Sequence, residues 1–232
     1  MGMFIYKDNM QFDIAIFAGG LGSRLKNTES RPKPLVDING KSLLSRLIIS
    51  LKKTSLFRHF HILVCSDGDI NPFYEILGNE IETSLFTIHS EPSRTGRIGA
   101  ISYFLERKVD VDQFFACNGD TLFQNLCSSN IYNSIKRFNA DPIIFLANND
   151  SSRNDYKKVT LDYSLKKNYQ NSGLFFMTRD WFQKKIIELP NILDVDELLF
   201  DNSLNVHFSC LNTTLLDAGT PDRLSYIRSI IN

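Results

Sequence analysis

The feature that most constrains this chain is a junction. Phe12 to Ala18 (FDIAIFA) is short, nearly continuous and apolar, and it runs without a spacer into Gly19-Gly20-Leu21-Gly22. A short apolar run without alternation reads as a strand buried on both faces, as in a sheet covered by helices. Three glycines in four positions then remove Cβ atoms, so backbone N–H groups can come close to an anionic ligand. The loop is not a dinucleotide fingerprint, because Leu25 stands at the third glycine position. It is not a Walker A loop either, since no Gly-Lys-Ser/Thr follows at the right distance.

The rest of the chain repeats the opening rhythm. After a long loop from Gly19 to Gly40, Ser42 to Lys53 has helical periodicity, with Ser42 as N-cap and basic residues in the last turn. Strands are expected at Phe60 to Cys65, Ser84 to His89, Gln113 to Cys117 and Pro142 to Ala147. Helices are expected at Pro72 to Leu77, Gly99 to Arg107 and Asn130 to Phe138. That alternation predicts an α/β fold with a doubly wound, mostly parallel, Rossmann-like sheet. Ligands in such sheets bind beyond the carboxyl ends of the strands. After Asn148 the pattern changes: Tyr156 to Tyr163 and Leu174 to Met177 read as a small β-hairpin lobe. Helices at Asp180 to Glu188 and Val195 to Phe200, a strand near Val206 to Cys210 and a helix from Pro221 follow.

Composition removes several function classes. Lys+Arg and Asp+Glu both number 26, so the chain has no basic excess to release counterions, and neither nucleic acid nor a membrane is an expected partner. With 43% hydrophobic residues it is not a disordered chain. The N-terminus lacks a signal pattern, and no run approaches the ~18 apolar residues of a membrane span. Cys65, Cys117, Cys127 and Cys210 form no CxxC and lie mostly in apolar runs, so reduced, buried thiols of a cytoplasmic protein are expected. His59 and His61 lie on one strand face and read as strand-edge residues with no assigned role, since a metal needs a further ligand.

Four ordered motifs then accumulate: Gly19-Gly20-Leu21-Gly22-Ser23-Arg24-Leu25, Arg31-Pro32-Lys33-Pro34, Asn118-Gly119-Asp120-Thr121, and Leu216-Asp217-Ala218-Gly219-Thr220-Pro221. Together they resemble the sugar-1-phosphate nucleotidyltransferases (NDP-sugar pyrophosphorylases) over about residues 12–228, most like the heptose 1-phosphate guanylyltransferase group. The resemblance implies one domain over 1–232, with a nucleotide-binding part at 12–148, a sugar-binding and metal-completing part at 149–220 and a terminal helix at 221–232. It implies an NTP donor (GTP, CTP or UTP), a sugar 1-phosphate or other small phosphate acceptor, and a role in bacterial capsule or lipopolysaccharide synthesis. A homo-oligomer is left open.

The chemistry suits these residue types. An acceptor phosphate with a second pKa near ~6 is already largely dianionic at pH 7, so attack on the α-phosphorus needs no general base. The protein has to position two anions and stabilise transition-state charge. The resemblance assigns Arg24 to the leaving β/γ-phosphates and Lys33, stiffly set between two prolines, to the α-phosphate. It assigns Asp120 and Asp217 to Mg²⁺, although either alone would pass for a turn or N-cap aspartate. Ala18, Gly19, Gly20, Gly22, Ser23, Glu91 and Gly96 would meet the nucleotide. Glu91 suits guanine, and is equally compatible with a uracil or cytosine enzyme that uses backbone contacts. Asn118, Lys166 or Lys167, Asn171 and Gly173 would meet the acceptor, and a solvated pair is the competing reading of the two lysines.

Three departures bear on the acceptor. The family's P-x-G-T-G-G-A loop reads Pro92-Ser93-Arg94-Thr95-Gly96-Arg97-Ile98-Gly99-Ala100, with two arginines that either hold an acidic group or face solvent. The family's Tyr-Gly-x-Val reads Tyr156-Lys157-Lys158-Val159, and the usual Glu before the acceptor lysine is absent. These leave a cytidylyl- or uridylyltransferase for a different, even non-sugar, phosphate as the alternative. From other classes, a glycosyltransferase using Asp67-Gly68-Asp69 and a nucleotide-binding sensor remain. Charge is also segregated: Ser23 to Arg58 carries nine Lys/Arg against Glu29 and Asp37, while Asp194 to Asp222 carries six acids and no Lys/Arg.

Overall fold

The apolar run at the front of the chain forms β1 (Phe12–Phe17), the strand on which the rest is hung. The computed structural model describes residues 10–20, 25, 29–65, 69–139, 142–148, 158–162, 167–199 and 206–231. A two-stranded ribbon, β2 (Asp37–Ile38) and β3 (Lys41–Ser42), interrupts the expected long loop. It leads into α1 (Leu43–Lys52), where the Ser42 hydroxyl accepts from the Ser45 N–H at 3.2 Å as the N-cap reading predicts. β4 (Phe57–Cys65), α2 (Asn71–Glu80), β5 (Phe86–Glu91), α3 (Gly96–Arg107) and β6 (Gln113–Asn118) continue the alternation. Then come β7 (Thr121–Gln124), α4 (Ser128–Arg137) and β8 (Ile143–Asn148). The last third holds β9 (Lys158–Asp162), β10 (Lys167–Thr178), α5 (Arg179–Glu188), α6 (Val195–Leu199), β11 (His207–Leu211), β12 (Thr214–Asp217) and α7 (Pro221–Ile230).

The main sheet has the order β11-β8-β10-β6-β1-β4-β5, with β9 paired to β10. Its pairings are parallel except where β10 runs antiparallel to β8, β6 and β9. The expected doubly wound, mostly parallel sheet is therefore present. The segment Leu174 to Met177, read from sequence as hairpin material, instead forms the middle of that sheet, and only the start of β10 pairs with β9. Its FFM run is buried on both faces, which a hairpin of an exposed lobe would not be.

Helices cover both faces. α1, α2, α4 and α7 bury Leu47, Phe73, Ile131 and Leu224 on the side that holds Ile14 and Ile16 of β1. α3, α5 and α6 bury Phe104, Phe182 and Leu198 on the side that holds Ala15. Two of the cysteines, Cys65 and Cys117, are buried as expected, while Cys127 and Cys210 are exposed. No helix among the described residues is long and apolar enough to cross a membrane.

The histidines also depart from expectation. β4 lies inside the sheet between β1 and β5, so His61 is not at an edge and is buried. Its Nδ1 lies 2.9 Å from His89 Nε2, and its Nε2 lies 3.4 Å from the buried Asp13 carboxylate, which Arg58 also meets at 2.7 Å. Burial holds the His61 pKa below its ordinary 6.5, against the pull of Asp13. Burial, reinforced by His61, lowers His89 further, to about 4. The unfolded chain therefore binds protons below pH 6.5 that the native His89 refuses until about pH 4. Stability is fully present above pH 6.5 and falls as pH drops through that window, by up to about 3 kcal/mol from His89. Chemical denaturation at pH 7, 6, 5 and 4.5 is expected to show this slope, and His89→Gln is expected to flatten it.

Candidate active site

The site is organised by a tight turn at the carboxyl end of β6. The Gly119 N–H donates to the Phe17 carbonyl at the end of β1 (3.0 Å), and a Cβ at Gly119 would lie 2.6 Å from that same oxygen. Only glycine allows this approach. Asp120 follows, and the chain turns into β7, which pairs antiparallel with β12 so that Thr121 lies opposite Asp217. The Ala218 N–H donates to the Asp120 carbonyl (3.3 Å), closing the ribbon. Two aspartates far apart in sequence are thereby held side by side.

Lys33 joins them. Pro32 and Pro34 frame a 3-10 turn at Lys33–Leu35 whose Leu35 is fully buried. From there Lys33 Nζ reaches Asp120 Oδ2 at 2.6 Å and Asp217 Oδ1 at 3.7 Å. Arg223, on the first turn of α7, holds the other Asp217 oxygen at 2.7 Å. The Thr220 hydroxyl accepts from the Arg223 N–H and caps that helix, with Pro221 at its first position. Asp217 is nearly buried, whereas the Asp120 side chain is 36% exposed and forms the open end of the pair.

Two carboxylates that share one ammonium are a donor set that a divalent ion can share. Magnesium ordinarily takes one or two carboxylates and completes its octahedron with water and substrate phosphate. Among the described residues no group of three or more His, Cys, Asp or Glu is placed to hold a metal, so the pair suits magnesium better than a multi-ligand zinc site.

Beside the pair, at the carboxyl ends of β1, β4 and β5, lies a cavity of about 260 Å³. Gly19 and Gly20 form one wall, Leu63 and Ala100 the apolar floor, and Glu91 and Arg94 part of the rim. The buried Ala18 anchors the wall through its N–H to the Leu63 carbonyl (2.8 Å). A Cβ at Gly19 would stand 3.1 Å from the Cys65 backbone nitrogen, so the loop lies close on β4. Burial pushes the Glu91 pKa up, while a hydrogen bond from the Thr95 hydroxyl (3.0 Å) and the Arg94 charge oppose the rise. Gly96, where α3 starts three residues earlier than expected, has a φ of +72° and would overlap the Leu193 carbonyl if it carried a Cβ.

On the other side of Asp120, β10 bulges at Asn171-Ser172-Gly173, where two extra residues slip past β8. Gly173 has a φ of +71°, and a Cβ there would sit 2.5 Å from Asn118 Nδ2. The Asn171 side-chain oxygen accepts from the Gly173 N–H (2.9 Å), and its amide donates to Asp196 (2.8 Å). Asn118, Asn171 and Gly173 are thus brought together. Of the lysine pair, Lys167 starts β10 opposite Asp162. Gly22, Ser23, Arg24 and Lys166 lie outside the described residues.

Sequence reasoning missed three residues here. Arg223 follows Asp217 by six positions, and its signal was the Thr-Pro helix start that aims the first turn back at the aspartate. Asp194 and Asp196 both grip Arg97, so that arginine does not simply face solvent, and the acidic group it holds belongs to its own chain.

The model of the MobA-like NTP transferase domain matches residues 14–153, more than half of the chain. The chain belongs to this family. As a MobA-like NTP transferase it is a nucleotidyltransferase enzyme. No curated protein matches it by sequence. Among solved structures, HddC from Yersinia pseudotuberculosis complexed with GMP-PN is similar at a TM-score of 0.74 and 21% identity, over 96% of this chain and 100% of that one. The inositol-1-phosphate CTP transferase from T. maritima is similar at 0.72 and 17% identity, over 98% of this chain and 100% of that one. A nucleoside-diphosphate-sugar pyrophosphorylase from Vibrio cholerae RC9 is similar at 0.68 and 18% identity, over 93% and 99%. At these identities the likeness is one of fold. Covering 93% to 98% of this MobA-like transferase, it extends beyond residue 153.

Asp120→Ala and Asp217→Ala are each expected to lower pyrophosphate release by at least about 100-fold, the scale of a lost transition-state contact, with the far-ultraviolet circular dichroism unchanged.

Proposed function

We propose that the protein is a magnesium-dependent sugar-1-phosphate nucleotidyltransferase that takes GTP as donor and a heptose 1-phosphate as acceptor, forming an NDP-sugar and pyrophosphate. The observation that carries this reading is the meeting of Lys33, Asp120 and Asp217, from three separate motifs, beside a glycine-walled cavity. The acceptor phosphate attacks the α-phosphorus in line and pyrophosphate leaves. Because that phosphate is already ionised, the site needs charge and alignment rather than a base. Lys33 would lie against the α-phosphate and Arg24 against the leaving β/γ-phosphates. Asp120 and Asp217 would hold Mg²⁺, which when bound neutralises phosphate oxygens. Arg223 keeps the second Asp217 oxygen engaged and so fixes the carboxylate's orientation.

The choice of guanine is supported by Glu91. Its carboxylate stands at the cavity rim, buried to 6% exposure, where it can accept from guanine N1–H and the 2-amino group. The similar HddC structure contains GMP-PN, itself a guanine nucleotide. A cytidylyl- or uridylyltransferase for another phosphate is the second reading, favoured by the likeness to the inositol-1-phosphate CTP transferase. The proposed pathway role is supply of an activated heptose for a bacterial surface polysaccharide, carried out in the cytoplasm.

The test is a matrix of four NTPs against a panel of sugar and polyol phosphates with Mg²⁺, read by pyrophosphate release. Turnover with GTP and a heptose 1-phosphate is expected, with a loss of at least about 10-fold in kcat/KM for GTP in Glu91→Gln. Preference for CTP establishes the second reading. Silence across the matrix with intact NTP binding makes the protein a sensor and sinks the proposal.

A further inference from the structure

Arg97 has no place in the chemistry described above, yet it is among the most heavily tied side chains near the site. It is 22% exposed, and it stacks over the Phe17 ring at 5.8 Å. Its Nε donates to Asp194 Oδ2 (3.1 Å), its Nη1 to Asn118 Oδ1 (3.0 Å), and its Nη2 to Asp194 Oδ1 and to Asp196 Oδ2 (2.7 Å). Burial alone would lower its pKa, but the hydrogen bonds and charges of Asp194 and Asp196 outweigh that and raise it, so it stays a cation.

These contacts tie together three elements around the site. Arg97 belongs to the first turn of α3 and lines the nucleotide cavity. Asn118 closes β6 two residues before Asp120. Asp196 carries the clamp on to Asn171 at the β10 bulge (2.8 Å). The segment bearing both acids, Asp194 just before α6 and Asp196 in its first turn, is pinned a second time, through the Leu193 carbonyl that accepts from the Ile98 N–H at 3.2 Å.

The clamp does not cancel its own charge. One guanidinium against two carboxylates leaves one net negative charge. The Asp194 and Asp196 side chains remain 40% and 36% exposed. A carboxylate has about four lone-pair positions, and the bonds named here leave some of them unfilled on both acids. Such a surface takes hydroxyl donors and repels a second carboxylate.

Resting on the nucleotidyltransferase reading, we propose that Arg97 is a positioning residue for acceptor recognition. It fixes Asp194 and Asp196 as hydroxyl acceptors that select a neutral, hydroxyl-rich acceptor phosphate over one bearing a carboxylate. A lysine cannot replace it, because only the planar fork reaches both acids and Asn118 at once.

The experiment measures KM and kcat for donor and acceptor separately in the unaltered enzyme, Arg97→Lys, Arg97→Gln and Asp196→Asn. The acceptors are neutral sugar 1-phosphates and a uronic acid 1-phosphate. In both Arg97 variants the acceptor KM is expected to rise at least about 10-fold, the cost of one hydrogen bond to a charged group, with the NTP KM within about 3-fold. Asp196→Asn is expected to weaken the neutral acceptor and narrow the discrimination against the uronic acid. Arg97→Lys keeps a cation beside the two acids, so the test stands even where Arg97→Gln fails to fold. Equal changes in both KM values, or none, overturn the positioning role while leaving the transferase reading intact. Efficient use of the uronic acid by the unaltered enzyme overturns the selectivity. No turnover with any acceptor overturns the transferase reading and this inference with it.

Discussion

Asp120 and Asp217 repel one another, and much of the structure serves to keep them adjacent. Two like charges held side by side destabilise each other unless something offsets the repulsion. Here the ladder between β7 and β12 fixes the backbones, Lys33 bridges the pair, and Arg223 engages the far oxygen of Asp217. Each support comes from a different part of the chain. Lys33 needs the proline-framed turn seated on Leu35, Arg223 needs the capped start of α7, and the ladder needs Gly119 to let β6 turn against β1. The arrangement holds two carboxylates in common reach of one ammonium.

Much of this was legible from the residues. Unalternated apolar runs gave the parallel strands, because a strand buried on both faces leaves no polar residue to interrupt it. Asp120 and Asp217 could be nominated because each follows an apolar run and stands in a motif that resembles the family's. Their meeting followed only from the resemblance, since β7 and β12 are four-residue strands whose paired residues lie 90 to 96 positions apart. The same limit hid Asp194 and Asp196: an acid at a helix start carries no sign of its partner until the fold supplies Arg97. Leu174 to Met177 misled for a related reason. A four-residue apolar strand reads the same whether its neighbours run parallel or antiparallel, so its place inside the sheet was invisible.

The histidines mark another boundary of sequence reasoning. His59 and His61 alternate with apolar residues as an edge strand would. Their setting is decided instead by Thr87 and His89 on β5, which satisfy imidazole nitrogens inside the sheet (2.9 Å in each case). A polar line from Asp13 through His61 to His89 therefore lies beneath α3. Its register ends two residues before Glu91, so the sheet that carries the cavity also contains a buried polar seam.

The antiparallel β10 has a consequence for how the molecule is assembled. The family match covers residues 14–153, which supply β6 and β8 but not the strand that lies between them. Until residues 167–178 are made, both strands present unpaired N–H and C=O groups along the edges that β10 will occupy. The matched region therefore does not hold a continuous sheet by itself. Chain emerging from a ribosome would carry two open, apolar edges until its last third arrived, a window in which strand addition by another chain competes with closure.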